Sequence, residues 1–539
     1  MRICMKSILI GGQAGQGVEK ASEIVTEALR RIGYYSFNYR DYQSLIRGGH
    51  NFNVISFSKE KVFSNEWEYD VILALNDETA EKHKSHLKSG GIVILYKDYP
   101  QADEAIKELN LPPISKNSFF VGVLAKTIGM KKEVILSVVK ESLGEKQLEI
   151  ASRGYDAAET VFSIDNGKEL NAFIISGSQT LGKAAIDAGL ERFIGYPMTP
   201  ATPVFHYIAA HQNEKLKAVQ MENEIAVVHG VIAASYAGKM AMAATSSGGL
   251  ALMGEACSLA GISETPLVIN LAQRTGPATG LPTYTAQADL KMALNIGHGE
   301  FPRIVVAPGL PDEIYELTQE AFYLAYKYRT LAIILTDKHV AESQFTIEEF
   351  VKPKRKPEKF IIKADKNYAH YKITEDGLSP RAIPGEDDNV VVKATSYEHD
   401  EYSNTTEDPE MTVKMNDKRM RKMKTLEKEV MQLEPVKMYG NGSKVIVGWG
   451  STKGAILDAL RELDGYSYLQ IRYLSPFPSK VVKEVLEKAD EIVDVENNVT
   501  GQLADIIAEK TGIIVKKKVL KYDARPFSAK EIVEGVKHA

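Results

Sequence analysis

Gly195-Tyr-Pro-Met-Thr-Pro-Ala-Thr-Pro203, followed after a polar helix by Met221-Glu-Asn-Glu224, is the stretch on which the reading of this chain turns. Pro197, Pro200 and Pro203 remove backbone donors and push the residue before each toward extended geometry. Thr199 is thereby held in a stiff, non-helical turn, its hydroxyl and the neighbouring amides free to face a ligand. The apolar run ending at Ile194 reads as a strand feeding the turn, and Thr202-Pro203 as the N-cap and first residue of the next helix. A strand end, a stiff turn and a helix N-terminus make an anion-friendly corner in an α/β sheet. A proline-rich loop that merely ends a strand would use the same residues, and residue types alone do not choose between the two.

Outward from this turn, apolar runs at 173–175, 193–195, 218–221, 240–244, 267–272, 304–307 and 331–336 alternate with helical stretches. That alternation predicts a doubly wound, mostly parallel sheet in a domain over 172–345. The loops after these strands carry Gly177, Thr199, Glu222, Glu224, Ser246, Ser247 and Arg274. In an open parallel sheet such loops share one edge, where ligands bind.

Before that domain, a strand at 6–11, the loop Gly11-Gly-Gln-Ala-Gly-Gln-Gly17 and a helix at 18–31 open an α/β unit over 1–162, with further strands at 54–57, 71–75 and 92–95. Glycines in such a loop let the backbone approach a phosphate at the helix N-terminus. The G-x-x-G-x-G order, with Lys20 where a third glycine would fall, fits a dinucleotide turn poorly, and a tight turn without ligand is the alternative. Residues 163–171 read as a linker. Residues 346–440 break the pattern, being basic and proline-punctuated at 352–359 and acid-rich over 386–417, and are expected to form a solvated insertion. Within it Glu398-His-Asp-Glu401 has residue types that ligate metals, although no metal is assigned to it. The helix at 411–433 carries Met and Leu at packing intervals. A third α/β unit follows over 441–539, with strands at 445–448, 468–472 and 492–495 and helices at 453–463 and 480–488.

The 539 residues exceed one hydrophobic core, and 44% hydrophobic with 25% charged residues is ordinary for a globular chain. A net charge of −5 gives no nucleic-acid footprint. The apolar runs, such as 331–335, are too short for a bilayer, and the N-terminus enters a strand without a targeting segment, so a cytoplasmic protein is expected. Cys4 and Cys257 are the two cysteines, both in apolar surroundings and expected to be buried. A cubane iron–sulfur cluster needs about four thiolates, so the chain cannot hold one alone.

Tyr196-Pro-Met-Thr-Pro200, Thr245-Ser-Ser-Gly-Gly-Leu250 with Met253 and Glu255, and Arg274-Thr-Gly-Pro-Ala-Thr-Gly-Leu-Pro-Thr283 with Gln287 and Asp289-Leu290 resemble, in order and spacing, three signatures of the 2-oxoacid:ferredoxin oxidoreductases. Gly11–Gly17, Arg47-Gly-Gly-His50 and Glu496-Asn-Asn498 with Gly501-Gln-Leu503 also resemble segments of that family. The likeness covers nearly the whole chain and is to the form in which a gamma-type domain precedes the alpha subunit. It implies a thiamine-enzyme pyrimidine-binding-like domain over 172–345 and a transketolase C-terminal-like domain over 441–539. It further implies a CoA-dependent oxidative decarboxylation of a 2-oxoacid, with ferredoxin as acceptor. The partner would be a beta subunit holding thiamine diphosphate, Mg²⁺ and a [4Fe-4S] cluster, in a heterodimer or a dimer of heterodimers. By resemblance Glu224 faces the aminopyrimidine ring, with Glu222 as rival. Thr199 and Arg274 meet the substrate's carboxylate, while Gly12, Gly15, Gly17 and Arg47 face the place where CoA enters. An indolepyruvate-type or non-oxidative enzyme is an alternative. So is a nucleotide-binding regulatory protein built on the glycine loop, with Asp41 taking a ribose hydroxyl.

Overall fold

The computed structural model describes residues 5–43 and 48–538. Among these, three α/β sheets form. The first follows the order Leu87–Leu95, Tyr69–Ala74, Lys6–Gln13, His50–Ser58, Tyr35–Asp41, Gln344–Ile347, Phe173–Ser176. It is mixed: Lys6–Gln13 runs parallel to Tyr69–Ala74 but antiparallel to His50–Ser58. The helix Val18–Arg31 forms where its apolar spacing predicts, burying Ala21, Ile24, Val25 and Ala28 on this sheet.

The strand expected at 173–175 to open the second sheet forms, but at the edge of the first. Phe173–Ser176 pairs antiparallel with Gln344–Ile347, which in turn pairs with Tyr35–Asp41. A short strand takes whichever partner the fold brings to its backbone donors, and the partner here lies far along the chain.

The second sheet has the order Tyr473–Ser475, Arg303–Val306, Leu331–Asp337, Leu267–Gln273, Ala241–Ser246, Arg192–Gly195, Lys217–Gln220. It is parallel apart from Tyr473–Ser475, an antiparallel edge strand lent by the C-terminal unit. From Arg192–Gly195 the chain steps outward to Lys217–Gln220 and then returns across it to Ala241–Ser246. The order therefore reverses between Arg192–Gly195 and Ala241–Ser246, the point where an open sheet leaves a crevice. The third sheet runs Val436–Tyr439, Tyr466–Ile471, Lys444–Gly448, Glu491–Glu496, Lys517–Leu520, with Val436–Tyr439 antiparallel. Leu9, Phe37 and Tyr39 share one apolar core with Leu181, Phe193 and Phe322, so the first two sheets pack as one body. No helix among the described residues is long and apolar enough to cross a membrane.

The segment after residue 346 is solvated over much of its acid-rich stretch, with 385–389 exposed, but its helix is docked. Its helix Pro409–Val430 starts on the Asp408 cap, whose carboxylate accepts the Met411 amide at 2.9 Å. Lys418 and Lys422, both buried, donate to the buried Glu264 carboxylate at 2.5 and 2.6 Å. Burial alone would raise the Glu264 pKa, but these ammonium groups hold it well below the usual carboxylate range. Charge count hides this, because lysines spaced one turn apart read as a solvated face until a carboxylate is brought over them.

Glu264→Gln leaves two buried ammonium groups without a counter-charge, a change that costs about 3–5 kcal/mol. A lower melting temperature and faster proteolysis between 346 and 440 are expected, whereas the exposed Lys414→Gln leaves both unchanged.

Candidate active site

Four strand ends of the second sheet deliver the chemistry. Gly195 leads into Thr199, Gln220 into Glu222 and Glu224, Ser246 into Ser247, and Gln273 into Arg274. Gly177 does not join them, since it follows a strand of the first sheet. The helix after the proline turn spans Thr202–Ala210 with Ala201 in the cap position, one residue earlier than its composition implies.

Glu222 is exposed, whereas Glu224 is 4% exposed at the first position of the helix Glu224–Tyr236, whose cap Asn223 accepts the Ile225 amide at 3.1 Å. A carboxylate at a helix N-terminus is favoured by the unpaired amides and the dipole there. Over it lies Gly249, where a Cβ would come within 2.0 Å of Thr245 Oγ1 and 3.1 Å of Glu224 Oε1. The Thr245 and Ser246 hydroxyls are buried and have no hydrogen-bond partner among the described residues. The chain at Gly249 thus passes too close to Thr245 and the Glu224 carboxylate for any side chain to fit there.

Arg274 is 7% exposed. Its Nη1 donates to the Thr199 carbonyl at 2.8 Å, and its Nε is buried with no partner among the described residues. Burial depresses its pKa, against the attraction of the Glu224 charge. Among the described residues it makes no ion pair within 4 Å: Asp289 instead accepts the Ser247 hydroxyl, and Glu255 is exposed. The guanidinium therefore has donors to spare for an anion. The structure thus brings Thr199, Glu224 and Arg274 to one edge.

The glycine loop borders a separate cavity. Gly15 has φ +87° with open space beside it, and Gly17, at φ +73°, starts the helix Val18–Arg31 without a side-chain cap. Positive φ explains glycine at both places. Gly12 sits behind, against Leu75 and Gln16. Gly15 and Gln16 line a cavity of about 400 Å³ with Tyr96, Lys116 and Asn117, and the Asn117 amide donates to the Gln16 carbonyl at 2.5 Å. None of Thr199, Glu224 and Arg274 lines it. Arg47 and Cys4 lie outside the described residues, while Cys257 is buried, with its thiol pushed up to about 12. Asp41 is not available to a ribose. It is 2% exposed, 3.1 Å from Arg525 Nε, and accepts the Tyr39 hydroxyl at 3.0 Å.

In the Glu398–Glu401 segment the carboxylates face protein donors. Glu398 pairs with Arg419 at 2.6 Å, Glu401 accepts the Ile373 amide at 2.7 Å, and Asp400 accepts from Asn404. Among the described residues no three His, Cys, Asp or Glu side chains are grouped to hold a metal ion.

Two family models match: "Pyruvate flavodoxin/ferredoxin oxidoreductase", thiamine diphosphate-binding, over residues 183–418, and "Pyruvate ferredoxin/flavodoxin oxidoreductase" over 7–164. The 2-oxoacid:ferredoxin oxidoreductase subunit alpha of Sulfolobus sp is 33% identical over 98% of this chain and 96% of its own length. The chain belongs to the 2-oxoacid:ferredoxin oxidoreductase family. It matches that family as an alpha subunit of an oxidoreductase. The alpha subunit of 2-oxoacid:ferredoxin oxidoreductase 1 from Sulfurisphaera tokodaii is also 33% identical, over 98% and 97% of the two chains. The solved 2-oxoglutarate:ferredoxin oxidoreductase of Magnetococcus marinus, with 2-oxoglutarate, coenzyme A and succinyl-CoA bound, superposes with a TM-score of 0.90 at 29% identity, covering 99% of each chain. In this oxidoreductase subunit the thiamine diphosphate-binding match encloses Thr199, Glu224, Gly249 and Arg274.

Gly249→Ala drives a methyl group against Thr245 and the Glu224 carboxylate, so turnover should fall by about an order of magnitude or more, and overpacking of about 1–3 kcal/mol should lower the melting temperature. Steady-state kinetics with matched thermal melts check this.

Proposed function

We propose that this chain is the substrate-holding alpha subunit of a thiamine diphosphate-dependent enzyme that converts a 2-oxoacid and CoA to acyl-CoA and CO₂, the electron pair passing to ferredoxin. The observation that carries the reading is the buried Glu224 carboxylate under Gly249, with the unpaired face of Arg274 on the same edge. These residues fit the aminopyrimidine half of thiamine diphosphate. Ligands for its Mg²⁺ and diphosphate are assigned to a beta subunit, along with a [4Fe-4S] cluster, in a cytoplasmic heterodimer or dimer of heterodimers.

Bound thiamine diphosphate supplies a carbon nucleophile and an electron sink, which protein side chains lack. Glu224 accepts a hydrogen bond from the protonated ring nitrogen of the aminopyrimidine and holds that proton in place. Its burial strengthens the bond, because little water competes. Arg274 receives the substrate's carboxylate in its planar fork, and the Thr199 hydroxyl orients it. Gly15 and Gly17, with Arg47, shape the approach of CoA, and Gly12 backs that turn from the end of the strand Lys6–Gln13.

In the enzyme reconstituted with its beta subunit, Glu224→Gln should nearly abolish turnover and retain cofactor binding, since the amide keeps a hydrogen bond but not the charge. Glu222→Gln should stay active, and the reverse result overturns the assignment. Arg274→Lys should lose a charge-assisted contact of about 1.5–3 kcal/mol, or roughly one to two decades in kcat/KM for the 2-oxoacid. A change within about twofold would make Arg274 structural.

A further inference from the structure

Gln287 is fully buried on the return limb of the segment that begins at Arg274. Each of its polar groups is taken by the C-terminal unit. Its Nε2 donates to the Trp449 carbonyl at 2.8 Å, and its Oε1 accepts the Asn497 amide at 2.9 Å. Its own amide donates to the Asn497 carbonyl at 2.8 Å, and its carbonyl accepts Asn498 Nδ2 at 3.0 Å. Behind this plug the buried Glu496 carboxylate accepts Trp449 Nε1 at 2.9 Å, Asn498 Nδ2 at 2.8 Å and the Leu503 amide at 2.7 Å.

The grip continues toward the site. Just past Gln287, the Asp289 amide donates to Gln273 Oε1 at 3.0 Å, and its carboxylate accepts the Ser247 hydroxyl. Ser247 Oγ in turn accepts the Arg274 amide at 3.4 Å. The segment is closed on itself by Thr275 Oγ1 donating to the Thr285 carbonyl at 2.9 Å. A run of hydrogen bonds thus joins the C-terminal unit to the backbone of Arg274, whose Nη1 rests on the Thr199 carbonyl. A carboxylate clamp must be held within about 0.5 Å of its productive position, which a loop achieves only when its base is fixed.

We propose that Gln287 is a positioning residue. Plugged into the C-terminal unit, it holds the Arg274 guanidinium at the place where the substrate's carboxylate binds, so this unit sets affinity for the 2-oxoacid. The proposal rests on the reading of Arg274 as the carboxylate clamp. Removing the side-chain amide takes the acceptor from the buried Asn497 amide and leaves the Trp449 carbonyl with the Thr452 hydroxyl alone, and the segment shifts to satisfy the Asn497 amide.

The test is steady-state kinetics of the reconstituted enzyme with Gln287→Met, with Asn498→Ala (which loosens the same plug from the other side), and with Arg274→Lys as reference. Both plug variants should raise KM for the 2-oxoacid about tenfold, leave KM for CoA unchanged and keep kcat within about threefold. The double variant should add little to either single one, as for residues that act as a unit. If Arg274→Lys is impaired while both plug variants keep the parent KM, or if both substrates' KM values rise together, Gln287 is only structural and the proposal falls. If Arg274→Lys is unimpaired, the clamp reading itself falls and the proposal with it. Should Gln287→Met fail to fold, Asn498→Ala decides alone.

Discussion

Strand Gln344–Ile347 pairs on one side with Tyr35–Asp41 and on the other with Phe173–Ser176, and this double pairing is the constraint on which the rest of the molecule depends. It makes the N-terminal sheet continuous with backbone from beyond its own segment, so the first two units cannot separate without exposing a row of amides and carbonyls. The strand follows Leu331–Asp337 by way of the helix Lys338–Glu342, so the seam and an interior strand of the second sheet lie on one connection. Lys338 is buried there between the Tyr39 and Tyr42 rings, 5.0 and 5.3 Å from its ammonium, and donates to the Arg40 carbonyl. Glu342 accepts the Tyr42 hydroxyl at 2.8 Å.

The C-terminal unit is joined by another means. Lys453 lies 2.6 Å from Glu313, and Arg472 pairs with Glu316, all four side chains being buried. Burial alone would raise the Glu313 carboxyl, but Lys453 and Arg472 hold it down at about 2. Asp337, with its carboxyl pushed up to about 6 by burial, accepts the Ser451 hydroxyl. Charges taken out of water recover little net energy even when well paired, so these contacts serve orientation more than stability. They fit one docking geometry and leave a buried charge bare in any other.

Orientation is what the site needs. Glu224, Thr199 and Arg274 stand on separate strand ends, and their mutual placement is only as good as the packing behind each. Thr199 is held by its proline turn and by Arg274, Glu224 by its helix start beside Gly249, and Arg274 by the Ser247–Asp289 contacts.

Local patterns in the sequence determined much of this. Alternation of apolar runs with helical stretches placed most strands of the second and third sheets within a residue or two, because a buried parallel strand is apolar along its whole length. Proline spacing and the order of three motifs put Thr199, Glu224 and Arg274 at strand ends. What sequence could not settle is which strand ends meet. The strands Gln344–Ile347, Phe173–Ser176 and Tyr473–Ser475 are short, and their partners follow from the tertiary fold, not from their own residues. Glu222 and Glu224 are alike as residues, yet the helix start leaves one in water and buries the other. Lys418 and Lys422 look solvated until Glu264 is folded over them. Asp41 meets Arg525 and Gln287 meets Trp449, groups far along the chain from each. A pattern within one turn or one strand reports the local period; burial and charge pairing depend on neighbours that only tertiary packing supplies.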